Sequence, residues 1–250
     1  RVQRLAMRVL GRELPVEGID EKPIHYNEAG SKNQGTLCHH AFDAELKQNH
    51  AHTRERSTVM TSTTSDKAKA ACPWKLPVEI MKKAASGRTL KDLQLPDDMS
   101  VSVTWSPKGS YRHGDILRYI SQWCDEWTEA RAAANDYRIM LLDSARSHIG
   151  PDIVDALWAR GYMCLYHYGG VTGVIQVNDT DNHAQFQREY LFLEEKSFIR
   201  RQKDDPSDIG RDFCEVVNDV IATWKMIDHE QCAQGYKTTG LTVKLPAGGE

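Results

Sequence analysis

The chain has 250 residues, of which 40% are hydrophobic and 27% charged, enough for one substantial core with appendages. No apolar run approaches the roughly 20 residues that a membrane helix needs, so no membrane span is expected. A net charge of −3 speaks weakly against nucleic-acid binding, because such binders are often basic, but it leaves local basic patches open.

The six cysteines are scattered and contain no CxxC pair, which favours reduced thiols over a disulfide framework. Cys38, His39 and His40 lie near His50 and His52, but this spacing fits no standard zinc finger. We therefore expect histidines in a loop here rather than a zinc site.

The first predicted elements are a helix and three strands. Residues 1–14 form an amphipathic helix with an apolar stripe and a stripe of arginines, which either faces DNA or is simply solvated. A strand follows within 15–28, with Asp20 near its end. Strands are also predicted at 36–42 and, from alternating and β-branched residues, at 57–64. Three successive strands indicate an antiparallel meander.

The middle of the chain is less regular. Residues 67–100 contain three prolines and predict an irregular insertion, with a short helix at 78–85. A short strand at 101–105 comes next. Ile116 and Ile120 then recur at helical spacing and predict a helix. The six tryptophans are expected in the core.

Strands and helices then alternate. The apolar run Ile139–Leu142 predicts a buried strand that ends at Asp143. Pro151 favours a helix start and Gly161 a helix stop, and residues 162–168 alternate as another strand. A strand–helix–strand unit implies that the two strands are parallel.

Two helices, at about 181–202 and at 213–224, close the chain, and the last 20 residues are expected to be loose. These elements give an α/β fold in which helices flank a mixed sheet and a helical tail follows. The first residue is not Met, so we expect 1–14 to be a linker helix after a missing region, 15–202 the core domain and 203–250 the tail.

Three acids suit a divalent-metal site. Asp143 directly follows the apolar run, Asp179 follows it with 35 residues between the two, and Asp20 lies upstream. A buried carboxylate without a partner is costly, so Asp143 is hard to explain as a core residue. Carboxylates that converge from different elements can hold Mg²⁺ or Mn²⁺ for phosphodiester cleavage. Neighbouring acids remain alternatives: Asp181 for Asp179, and Glu21 or Glu28 for Asp20.

Three blocks of the sequence resemble one family. Residues 143–148 (DSARSH) resemble the Asp-Asn-Ala-Arg-x-His signature of the mariner/pogo-like DDE transposases. Residues 176–190, with Asp179, Phe186, Arg188 and Tyr190, resemble the block around that family's third acid, and residues 18–30 resemble its first-acid block. Ser144 departs from the common Asn, and residues 167–174 replace a Pro-Pro-Asn loop, but neither departure removes a carboxylate.

The resemblance implies an RNase H-like core and a catalytic triad of Asp20, Asp143 and Asp179 that binds Mg²⁺ or Mn²⁺, with two ions expected. His148 and Asp181 would support this site. The implied activity is that of a metal-dependent DNA endonuclease and strand-transferring transposase in the nucleus, with transposon ends and target DNA as partners and a homodimer as the assembly. The alternatives are a domesticated or inactive relative that binds DNA or protein without cutting, and a different metal-dependent nuclease.

Basic residues near these acids are candidates for contacts with the DNA backbone, which position a duplex without reading its sequence. Ordinary solvated charge remains the alternative for each one. The candidates are Lys108, Arg112, Arg146 and Arg188, with Arg200, Arg201 and Lys203 further along the chain.

Overall fold

The structure, a computed structural model, describes residues 2–26, 56–84, 93–167, 176–204 and 211–242. The predicted strand at 36–42 and the Cys–His group at 38–52 lie outside these residues. Within the described part of the chain, no helix has the length and apolarity needed to cross a membrane.

A six-stranded mixed sheet forms the centre of the molecule, in the order β4-β3-β2-β1-β5-β6. The strands β1, β2 and β3 form an antiparallel meander, whereas β5 runs parallel to β1, β6 to β5, and β4 to β3. A meander extended by parallel strands beside β1 is the arrangement expected of an RNase H-like core. The strands are β1 (Val16–His25), β2 (Arg56–Thr64), β3 (Val78–Lys83), β4 (Val101–Ser106), β5 (Arg138–Leu142) and β6 (Tyr162–Tyr166).

Eight helices and two short turns complete the described residues. The predicted α/β class, with helices flanking a mixed sheet and a helical C-terminal region, is confirmed. The helices are α1 (Val2–Leu10), α2 (Lys67–Ala70), α3 (His113–Trp123), α4 (Glu129–Ala133), α5 (Pro151–Trp158), α6 (His183–Asp204), α7 (Phe213–Met226) and α8 (His229–Thr238), with a 3₁₀ turn at Pro73–Lys75 and a π-helical turn at Asn178–Asn182.

The sheet separates two hydrophobic clusters. On one face, Val16, Val59 and Leu141 pack with apolar residues of α6, α7 and α8. On the other face, Ile19 and Met140 pack with apolar residues of α3 and α5. Because successive strand residues point to opposite faces, this division follows from the alternation along each strand.

The predicted short helix at 78–85 is wrong, and the inner part of the predicted insertion belongs to the sheet. Residues Val78–Lys83 form β3, which pairs with β2 on one side and with β4 on the other. Val78 and Ile80 are buried in the core. The two neighbouring strands supply hydrogen-bond partners for the backbone of this segment. The local sequence of six residues is ambiguous and could not indicate those partners.

Three further expectations need correction. The first strand does not end near Asp20, because pairing with β2 continues to His25. The last 20 residues are not all loose, since α8 extends to Thr238. The tryptophans are not all core residues: Trp74, Trp105 and Trp158 are exposed, whereas Trp224 is fully buried and donates a hydrogen bond from Nε1 to the Leu76 carbonyl oxygen at 3.1 Å.

Candidate metal centre

A row of polar residues crosses the sheet where β1 and β5 diverge. The last pair between these parallel strands is Gly18 with Leu141, so Asp20 and Asp143 each stand two residues beyond it. On the other side of β1, Asp20 pairs with Thr61 of β2. Residues that are level on neighbouring strands point to the same face of a sheet. The strand register therefore brings the first two predicted acids to the same face of the sheet, beside the end of β5.

This row lies on the face of the sheet that α6 and α8 cover. Asp20 has the same alternation as Val16, and Thr61 the same as Val59, and both of these apolar residues pack in the cluster of that face. The helices leave Asp20 only 8% exposed. Residues that enter from the covering helices can therefore meet the row directly.

The π-helical turn at Asn178–Asn182 delivers the third predicted acid. The carbonyl oxygen of Gln176 accepts hydrogen bonds from the backbone amides of Asp179 and Thr180, both at 3.0 Å. The Nδ2 of Asn182 donates to the Oδ1 of Asn178 at 2.9 Å, and both asparagines are buried. These bonds stabilise the turn itself, and a bond from Oγ1 of Thr61 to Oδ1 of Asn178 at 3.4 Å joins it to β2, which fixes the position of Asp179.

Asp20, Asp179 and His183 form a compact cluster in which one potential ligand atom from each residue lies within 4.8 Å of the others. The Nδ1 of His183 is 3.7 Å from Oδ2 of Asp20 and 3.4 Å from Oδ1 of Asp179. The Nε2 of the same ring is 3.1 Å from Oγ1 of Thr61. We call these three residues the Asp–Asp–His cluster.

The pKa values of the three residues in the cluster are all shifted by burial and by neighbouring charges. Burial, together with the nearby charges of Asp179 and Asp143, raises the pKa of Asp20 from 3.8 to about 7. Interaction with His183 lowers the pKa of Asp179, against the effect of burial. Burial lowers the pKa of His183, which favours the neutral imidazole that a metal ion requires.

Asp143 lies beside this cluster but is held by a different partner. Its Oδ1 is hydrogen-bonded to Nδ1 of His148 and accepts a bond from the Ala145 amide at 3.1 Å. Burial alone would raise the pKa of Asp143, but the bond and charge of His148 lower it. The Nε2 of His148 is 3.5 Å from Oε1 of Glu21. Although burial opposes it, this pair of carboxylates raises the pKa of His148 to about 9.

A third histidine faces Asp143. His167 follows β6, and the last pair of β5 with β6, Leu142 with Tyr166, places it level with Asp143. It is buried, and its Nε2 makes no hydrogen bond with the described residues. Burial lowers its pKa, and the charges of Asp143 and Asp179 partly counter that shift.

The two residues that were predicted to support the site lie in different surroundings. His148 contacts Asp143, as described, whereas Asp181 faces away from the Asp–Asp–His cluster. A Cβ added at Gly235 of α8 would lie 2.6 Å from Oδ2 of Asp181, so this carboxylate packs against α8. It also accepts a bond from Oγ1 of Thr180 at 2.7 Å.

His183 is a residue that the sequence predictions missed. Its only signal in the sequence is its position four residues after Asp179, a spacing that places two side chains on one face of a helix. That signal becomes specific only when the preceding turn and the position of Thr61 are known.

The four main candidates for DNA contacts are on the surface. Lys108, Arg112, Arg146 and Arg188 are exposed, and Arg188 forms an ion pair with Glu189 at 2.8 Å. Of the additional candidates, Arg200 and Lys203 are exposed. Arg201 is buried and pairs with Glu215 at 3.0 Å, so it stabilises the contact between α6 and α7.

The chain is similar to solved structures of the Mos1 mariner transposase. Against the Mos1 paired-end complex with the left transposon end, it is 11% identical over 92% of its length, with a TM-score of 0.42, and it spans 56% of that chain. Against the Mos1 mariner paired-end complex with Mn, the identity is 12% and the TM-score 0.43, over 96% of this chain and 61% of the other. For the catalytic domain of the Mos1 mariner transposase, the values are 10% and 0.39, over 97% and 90%.

No family model and no curated protein matches the chain. The identities and TM-scores to the solved structures are low, so the case for a function depends on the residues of this chain.

Proposed function

We propose that this chain is the catalytic part of a mariner/pogo-like DDE transposase, which cleaves a DNA strand at an element end and joins the freed end to target DNA. The observation that supports this most is the meeting of Asp20 and Asp179 on one face of the sheet, with Asp143 level with Asp20. Carboxylates that converge from a strand, a strand end and a helix start suit phosphodiester chemistry.

The residues of the Asp–Asp–His cluster fit a divalent cation. Asp20 and Asp179 offer hard oxygen donors, and the potential ligand atoms of the cluster lie within 4.8 Å of one another. Burial and the nearby charge of Asp179 together raise the pKa of Asp20 to about 7, so part of this shift reflects repulsion between the two carboxylates. A cation would remove that repulsion. Mg²⁺ or Mn²⁺ is the proposed cofactor, with two ions as the proposed number.

The metal would supply an activated water and would neutralise charge that develops on the phosphate oxygens. The residues of the chain would bind and orient the metal. Asp20 of β1 and Asp179 of the π-helical turn would be its ligands. His148 keeps Asp143 ionised and fixes its carboxylate, so that Asp143 is poised beside Asp20 and the triad of Asp20, Asp143 and Asp179 is complete.

DNA is the proposed partner, both as transposon ends and as target. The exposed cations Lys108, Arg112, Arg146 and Arg188 are the proposed contacts with its phosphates. Since cutting and joining act on two element ends, we include a homodimer in the proposal. We also propose a nuclear location, because the proposed substrate is DNA.

The test is metal-dependent nicking of labelled duplex DNA by the purified chain and its Asp143→Asn variant, each with Mn²⁺ and with Mg²⁺. We expect nicking that requires the metal and falls at least about a hundredfold in the variant, because a preorganised electrostatic group is lost. Strand-transfer products would separate a transposase from a simple nuclease.

The matched control is Asp155→Asn, the same substitution at an exposed position of α5, which should retain full activity. Thermal unfolding of all three proteins checks that each one is folded. Metal-dependent nicking that survives in Asp143→Asn would refute the assignment of Asp143. Folded proteins that bind DNA without nicking it would favour a relative that has lost catalysis.

A further inference from the structure

We propose that His183 is a direct nitrogen ligand of the cation held by Asp20 and Asp179, and that this nitrogen shifts the preference of the centre from Mg²⁺ towards first-row transition-metal ions. The inference rests on the proposed function, since it concerns the same site. It adds a ligand that the three predicted acids do not include.

The spacing of the atoms fits shared coordination better than hydrogen bonding. The Nδ1 of His183 is 3.4 Å from Asp179 Oδ1 and 3.7 Å from Asp20 Oδ2, both longer than the usual range of about 2.7–3.2 Å for a nitrogen–oxygen hydrogen bond. Ligand atoms about 2.1 Å from a common ion lie about 3.0 Å apart at right angles and about 3.4 Å apart at tetrahedral angles. The ring nitrogen therefore lies near a ligand position.

The other ring nitrogen is already engaged. The Nε2 of His183 is 3.1 Å from Oγ1 of Thr61, a fully buried residue that pairs with Asp20 across β1 and β2. A hydrogen bond at the remote nitrogen of a metal-bound histidine orients the ring and fixes its tautomer. When Nε2 donates to Thr61, the lone pair of Nδ1 faces the two carboxylates.

The backbone also fixes the ring. His183 is the first residue of α6, directly after the π-helical turn, and it is 8% exposed. Little movement of the side chain is needed to place Nδ1 beside both carboxylates. A buried imidazole with one nitrogen held and the other aimed between two acids resembles a ligand that is preorganised.

The donor set has a chemical consequence. Mg²⁺ binds oxygen ligands almost exclusively, whereas imidazole nitrogen suits first-row transition metals better. A site with two carboxylates and one imidazole should therefore gain more affinity for Mn²⁺ from His183 than it gains for Mg²⁺.

The direct test is pulsed electron paramagnetic resonance of Mn²⁺ bound to the full chain, which detects the nuclear coupling of a directly coordinated ¹⁴N. We expect this coupling in the wild type and its loss in His183→Ala and His183→Asn. Calorimetric titration should show a fall in Mn²⁺ affinity of more than about tenfold in both variants, with a smaller fall for Mg²⁺.

Two control variants identify which histidine is responsible. His148→Ala and His167→Ala remove the other imidazoles near the acids, and both should retain the ¹⁴N coupling. Asp20→Asn should weaken the binding of either metal, which reports on the centre itself. Thermal unfolding in a chelator checks that each variant is folded.

The outcomes separate the two proposals. Mn²⁺ that binds in an Asp20-dependent manner without ¹⁴N coupling, or with coupling that only His148→Ala or His167→Ala abolishes, would overturn the role of His183 and leave the metal centre in place. A wild-type chain that binds no Mn²⁺ would overturn both.

Discussion

At the scale of single residues, the site is defined by carboxylates that the fold forces together. Asp20 is buried beside Asp179 and level with Asp143. Burial and the charges of these two acids raise its pKa to about 7. A protein that holds acids so close without a cation gives up stability when they ionise. A cation bound between them would relieve the part of this cost that comes from repulsion between the carboxylates.

This arrangement predicts a dependence of stability on pH in the absence of metal. The stability contributed by protonated Asp20 is fully present below about pH 4 and is lost as the pH rises through about 7, since the pKa is raised from 3.8 to about 7 in the folded state. In chelator, Asp20→Asn should therefore become more stable than the wild type as the pH rises from 5 to 8.

The expected difference at pH 8 is a few kcal/mol, at about 1.4 kcal/mol per pKa unit. Urea unfolding of both proteins across this range measures it. Other groups, such as His148, also change the free energy of unfolding with pH, but they are present in both proteins, so their effects largely cancel in the comparison. Parallel stability curves for wild type and variant would show that Asp20 has an ordinary pKa.

At the scale of elements, the cluster depends on close contact between β1, the π-helical turn and α8. Gly18 permits this contact, because a Cβ there would lie 2.8 Å from the hydroxyl oxygen of Tyr236 and 3.4 Å from Nδ2 of Asn178. The Tyr236 hydroxyl is also hydrogen-bonded to Oγ1 of Thr63 at 2.8 Å. A residue two positions before Asp20 thus sets how closely α8 and the turn approach the sheet.

We therefore expect Gly18→Ala to destabilise the protein by about 1–3 kcal/mol, the usual cost of overpacking, because the Tyr236 hydroxyl would have to move. We also expect weaker Mn²⁺ binding, because α8, which carries Tyr236, packs against the turn that holds Asp179. The matched control is Gly114→Ala in α3, where no atom lies within 4 Å of an added Cβ. Chemical denaturation and metal titration measure both effects. Equal stability of the two variants would mean that Gly18 has no such role.

The sequence could predict an element where neighbouring residues determine it, but not where contacts with distant parts of the chain determine it. The position of Asp143 directly after β5 was predictable because the apolar run before it marks a buried strand, and the start of α5 was predictable because Pro151 is its first residue. The strand β3 was not predictable, since its conformation depends on partner strands on both sides. The contact of His183 with the two acids was not predictable either, because it depends on a turn of unusual geometry and on the register of β2.

At the scale of the whole molecule, the net charge of −3 does not say where the basic residues lie. Ion pairs such as Arg138 with Glu17 and Arg211 with Asp219 are neutral as pairs, so these arginines are not available to a polyanion. Lys108, Arg112 and Arg146 are exposed instead. The binding of a polyanion depends on these exposed cations and not on the total charge.

DNA binding should therefore be sensitive to salt in a way that reports on individual cations. Replacing Arg146 by Ala should weaken binding to duplexes of unrelated sequence by similar factors and reduce the slope of log K against log salt by about 0.9, the contribution of one phosphate contact. The measurement is fluorescence anisotropy over a range of salt concentrations.

Lys225→Ala, at an exposed cation of α7, is the control and should leave the slope unchanged. The same slope for the wild type and for variants at Lys108, Arg112, Arg146 and Arg188 would show that DNA binds elsewhere on the protein.

The connectivity of the sheet also has a consequence for the protein during its synthesis. The meander can form while the chain is still emerging from the ribosome, but β5 joins β1 only after the intervening helices are made, and the turn with Asp179 comes later still. A nascent chain that stalls before His183 holds one acid of the Asp–Asp–His cluster, or two without the imidazole. A truncated translation product would thus be released without the complete Asp–Asp–His cluster and without any activity that requires it.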